Sequence, residues 1–218
     1  MAERHLEISG ASIVLLGSFN PAIFQPEWFA RHDLLPATMA EAAKINVIAP
    51  MISDFETERV RLQVTSDRFT ALSNPNAAPE GLRDLVLGTF FLLEHTPVTA
   101  LGLNREMHFS VASEEEWHRV GDKLAPKEGW NGVLDGRPGM RALLITTQRG
   151  DELGSIIGVR VEPSAKIKPG VFFAVNEHYP APKVEPLKNL MGIVRDRWEE
   201  GGQYAARIAD HIMDWAGE

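Results

Sequence analysis

The stretch Asn104-Arg105-Glu106-Met107-His108-Phe109-Ser110-Val111 sets an acid, an imidazole and a hydroxyl at every second position. Successive side chains of a strand point to opposite faces, so Glu106, His108 and Ser110 share one face while Met107, Phe109 and Val111 share the other. That spacing gives either a solvated strand surface or a groove in which Glu106 and His108 act as acid and base. Glu177-His178-Tyr179 brings a further carboxylate, imidazole and phenol to the end of a strand, where the simple reading is a turn. Trp130 stands alone among Gly129, Gly132, Gly136 and Gly139; a ring so placed caps a pocket or meets a partner.

Other chemistries lack their residues. Without cysteine there is no disulfide, no thiolate metal site and no cysteine nucleophile. The seven histidines are scattered and no His-Glu-x-x-His occurs, so no metal site is expected. Phosphate-cradling, dinucleotide and nucleophile-elbow glycine motifs are also missing, and neither a cofactor nor a set of catalytic residues is expected. The formal charge of −8 repels polyanions, which argues against nucleic acid despite the short basic stretches at 59–61, 166–168 and 195–197. The most apolar run, 85–93, is about half of the roughly 20 residues a membrane helix needs. The amino end lacks the basic-then-apolar order of a signal peptide, and a cytoplasmic location without membrane association is the expectation.

These residues need a frame. A continuous apolar run at 12–18 reads as a strand buried on both faces, and helical stretches follow at 26–32 and 37–44. A strand at 46–56, irregular at Pro50, is expected to form a hairpin with the strictly alternating 59–64. A helix over 80–94 leads to a strand over 98–111, and Ser113 with Glu116 forms a capping box for a helix over 114–124. After the glycine-rich loop come strands at 141–147, 155–161 and 171–176. One long helix over 186–216 closes the chain, opened by Pro186. Its apolar residues Met191, Val194, Trp198, Gly201, Ala205, Ile208, Ile212 and Trp215 step by three and four, a seam that packs on the protein's own sheet or on a second copy. In the second case Val194, Trp198, Ile208, Ile212 and Trp215 form a homodimer interface.

Composition and length fit one α+β unit spanning 1–218. The element order describes duplicated βαββ units, in halves 1–78 and 98–180, with a mostly antiparallel sheet and helices on one side. A slight echo of 15–20 in 100–104 accompanies it. This order resembles the tandem βαββ architecture of bacterial GyrI-like effector-binding domains. The resemblance implies a small-molecule ligand in a groove between the halves, with Glu177 facing a cationic group; Glu106, His108, Trp130 and Tyr179 are the other candidate ligand-binding residues. The stretches 62–69 and 101–104, with the terminal helix, are also similar to a sporadically distributed bacterial family that has no assigned activity. With no catalytic motif, the leading expectation is a non-enzymatic interaction or assembly protein. A small-molecule binding domain is the alternative, and an enzyme assembled only in three dimensions stands third.

Overall fold

The computed structural model describes residues 4–130, 132–182 and 186–217. In chain order the elements are β1 (His5–Gly17), α1 (Pro26–Arg31), α2 (Ala37–Glu41), β2 (Lys44–Ala49), β3 (Ile52–Glu56), β4 (Val60–Thr65), β5 (Arg68–Ser73), α3 (Pro79–Leu92), β6 (Val98–Ser110), α4 (Glu114–Leu124), β7 (Leu143–Gln148), β8 (Ile156–Pro163), β9 (Gly170–Pro180) and α5 (Pro186–Gly217). Two short 3₁₀ turns, Pro21–Ile23 and Glu128–Trp130, complete them. The fold is α+β: a nine-stranded sheet in the order β2-β3-β4-β5-β1-β6-β9-β8-β7, each neighbouring pair antiparallel, with a long carboxyl-terminal helix.

β1 and β6 form the centre, thirteen residues each, paired from His5↔Ser110 to Gly17↔Val98. Gly17 is needed there because a side chain would run into the Pro97 carbonyl oxygen and the Val98 Cα. Outward from that pair the orders β1-β5-β4-β3 and β6-β9-β8-β7 are topologically equivalent, with β2 added at one end. Each half is therefore a strand, a helical stretch, an antiparallel meander and a closing helix. The expected βαββ unit was one strand short, because Arg68–Ser73 is a full strand separated from β4 only by Ser66-Asp67. The expected single strand over 46–56 is likewise two, β2 and β3, turning at Pro50-Met51.

Helices cover one face of the sheet. In register, Leu15 lies beside Phe69 and Leu101, and Ile13 beside Ala71 and Leu103; these side chains are buried beneath α3 and α5. Ser53, in the same layer, donates to the Phe24 carbonyl and ties the α1 segment to that face. The other face carries no helix among the described residues. Val14 and Leu16 are therefore only half-buried, which corrects the expectation of a strand buried on both sides.

Two apolar cores lie under the helices. The first gathers the amino-terminal strands, α3, the start of β6 and the residues Leu187, Leu190, Val194 and Trp198 of α5. The second gathers the rest of β6, β8, β9, α4 and the residues Ala205, Ala209 and Met213 of α5. α4 is capped as expected: Ser113 Oγ accepts from the Glu116 N–H at 3.2 Å. Glu116 returns to the N–H of Ala112, one residue before the cap, at 3.0 Å.

Candidate functional site

A polar cluster occupies the seam between the two cores. β9 alternates, so Val175, Glu177 and Tyr179 point to the helix face, where Glu177 is only 2% exposed. A carboxylate so placed costs several kcal/mol unless charges and hydrogen bonds answer it (about 3–5 when a partner is missing). Its Oε2 accepts from Tyr179 Oη at 2.6 Å and from Arg149 at 3.2 Å. Arg149, just beyond β7, also reaches Glu200 and Asp151, and Arg197 joins Glu200 at 2.6 Å. On the other side the Arg105 guanidinium stacks 3.6 Å above the Trp198 ring and donates to the Trp198 carbonyl at 2.7 Å. Burial brings Arg105 down to about 10, opposed by the charges of Glu177 and Glu80. Burial, then the Glu177 bond, raises Tyr179.

The second carboxylate oxygen, Oε1, has no partner among the described residues and lies under Gly201. A Cβ at Gly201 would stand 2.9 Å from it, so the mid-helix glycine is what allows α5 this close to the sheet. Beside these groups is a cavity of about 10 Å³, the room of a single water, bounded by Arg105, Glu177 and Trp198. Three arginines meet three acids here and nothing larger than water fits between them. The chemistry is that of an internal ionic brace.

The strand residues Glu106 and His108 do not converge. Glu106 is exposed, and it reaches His108 only through its charge. His108 was expected on the same solvent-facing surface but is 5% exposed, because the turn after β8 folds over that end of the sheet. Its Nδ1 lies 2.8 Å from Ser164 Oγ and its ring 4.6 Å from that of Phe172. Ser164 Oγ accepts from the N–H groups of Lys166 and Ile167, so its proton is the one shared with His108 Nδ1. This pair fastens a turn. Burial, then Lys166, lowers the imidazole's pKa.

The other expected residues separate too. Tyr179 is fully buried within the ionic brace, whereas Trp130 is about half-exposed on its loop. Val194 and Trp198 face the chain's own sheet and offer no surface to a second copy. Ile208 and Ile212 are half-buried against the second core. Trp215 is partly exposed, with the Lys123 ammonium 5.0 Å from its ring.

Among the described residues, the bare face and the sheet edges are open to a partner, as is a hollow of about 340 Å³ bounded by Phe19, Ile23, Phe24, Leu92 and Pro97. Across the centre of the bare face Asn104 donates to Ser12 at 3.0 Å and accepts from Asn176 at 2.5 Å. Farther out, Asp54 accepts from Arg61, Gln63 and Asn46. At one edge lies β7, whose Leu144 and Ile145, on opposite faces, are 62% and 56% exposed. The signal for this edge was present in the sequence, as seven uncharged residues between Arg141 and Arg149, but which strand is outermost is a property of the topology.

No family model and no curated protein matches this chain. Among the described residues no three His, Asp or Glu side chains are grouped to hold a metal ion, and no helix is long and apolar enough to cross a membrane.

Proposed function

We propose that this chain works by binding and not by catalysis, as an interaction or assembly protein that receives an extended strand at the open edge β7. The carrying observation is that edge: six residues with apolar side chains exposed on both faces and backbone groups unmatched on one side. The arrangement of the titratable groups supports the same reading. Glu177, Tyr179 and Arg149 are bonded to one another, with Arg105 held on the Trp198 carbonyl beside them, around a cavity of about 10 Å³, against the several hundred Å³ of an ordinary ligand pocket. His108 and Ser164 are committed to a turn.

A labelled peptide with the sequence of residues 142–149 and a lysine at each end serves as probe. Its fluorescence anisotropy should rise on titration with the full chain and stay flat with the Leu144→Lys/Ile145→Lys double variant. Both replaced side chains lie outside the cores, so the variant keeps the fold. No binding to the wild-type chain, or equal binding to the variant, would refute the reading.

A further inference from the structure

Resting on the edge-binding reading above, we infer that the strand received at β7 is β7 of a second copy of this chain, paired antiparallel about a two-fold axis at Ile145. The two ends of the sheet are treated differently. β2 carries Lys44, and its register slips between Ile45 and Val47 where Asn46 turns to Asp54. A charge and a bulge are the usual guards against strand addition. β7 has neither: it holds unbroken register with β8 from Leu143↔Val161 to Gln148↔Ile156 and contains no charge and no proline. In a chain of net charge −8 this is a stretch where two copies meet without opposing like charges.

Self-pairing also fits the side chains. A two-fold axis perpendicular to the sheet keeps the helix faces on one side and sets residues of the same face opposite each other. With the axis at Ile145, that side chain meets its own copy on the helix face, Leu143 meets Thr147, and Leu144 meets Thr146 on the bare face. Apolar and β-branched pairs of this kind are favourable cross-strand neighbours. Ile145 and the half-buried Leu143 lie on a strip of the helix face where β8 is the main neighbour of β7. The second copy covers that strip. The segment between α4 and β7 also exposes Trp130, Val133 and Leu134. The product is one continuous antiparallel sheet through both copies.

The test is sedimentation equilibrium of the full chain across micromolar concentrations. A dimer is expected for the wild type, with loss of the dimer in Leu144→Lys/Ile145→Lys and no change in Phe91→Lys, which alters an apolar side chain 81% exposed elsewhere on the molecule. Because the chain has no cysteine, Ile145→Cys supplies a second readout. Mild oxidation should link it as a dimer on a non-reducing gel, since cross-strand partners stand within disulfide reach, whereas Phe91→Cys should stay unlinked. A dimer that survives the double lysine variant, or an Ile145→Cys that fails to link, overturns the inference. A monomeric wild type that still binds the peptide shows that the strand comes from another protein; a monomer that ignores the peptide defeats the edge-binding reading itself.

Discussion

Replacing Arg149 by methionine keeps most of the side-chain volume and leaves the Glu177 carboxylate in the core with only Tyr179 and the more distant Arg105 to answer it. Removing one partner of a buried pair costs about 3–5 kcal/mol, and because the Tyr179 hydrogen bond at 2.6 Å survives, the lower end applies. The pairs Arg149 also makes with Glu200 and Asp151 lie nearer the surface and add about 0–1 kcal/mol each. A total of about 3 kcal/mol corresponds, for a chain of this size, to a fall in Tm of about 10 °C. Urea unfolding and calorimetry of Arg149→Met, Glu177→Gln and the double variant would close a double-mutant cycle. Glutamine retains an acceptor for Tyr179 but carries no charge, so the double variant should recover about 2 kcal/mol relative to the sum of the singles. A cost under about 1 kcal/mol for Arg149→Met, or strict additivity in the cycle, would refute the claim that these groups form one brace.

The Asp54 carboxyl is held at about 2, chiefly by hydrogen bonds from Arg61, against about 3.9 in the unfolded chain. Its contribution of about 2 kcal/mol is therefore present above pH ~4 and is lost as pH falls through ~2. Acid titration of stability should be less steep in Asp54→Asn, and parallel profiles would contradict the assignment. His108 titrates below its ordinary value because it is buried, so stability should fall as pH drops below about 6.5. Guanidinium unfolding of His108→Gln should lack that slope; an equal slope would place its origin elsewhere. Gly17→Ala should destabilise by about 2 kcal/mol, since its Cβ meets backbone and no rotamer relieves the clash. A thermal midpoint within 1 °C of wild type, far inside the several degrees such a loss implies, would show that the β6 start gives way.

The local signals were legible in the sequence wherever one chain segment decides the outcome. Val60, Leu62 and Val64 alternate inward as their spacing says, and Ser113 caps α4 through a residue three positions away. The α5 seam from Val194 to Ala205 was readable as a buried stripe, though Trp215 at its end is partly exposed. Arg68–Ser73 escaped because a two-residue turn joins it to β4 and its inward pair is only Phe69 and Ala71. The ionic brace escaped for a different reason. Its members come from β6, the turn after β7, β9 and α5, and no periodicity links Arg105, Arg149, Glu177 and Trp198. Gly201 was the one local hint: a glycine within an apolar helical stripe marks a close approach, here to a carboxylate. His108 was misplaced because strand alternation names a face and cannot foresee that the Ser164 turn covers it.

The 32 residues of α5 span about 48 Å, and the helix supplies side chains to both cores: Leu187 to Trp198 in the first, Ala205 to Ala216 in the second. A polypeptide severed between α3 and β6 would consequently not yield two self-sufficient modules. The amino-terminal fragment would expose most of the apolar floor on which Leu187, Leu190, Val194 and Trp198 rest, and the carboxyl-terminal fragment would carry those four side chains over only the Val98, Leu101, Leu103 and Tyr179 part of that core. The fragments are complements, able to regain the native arrangement only by meeting again.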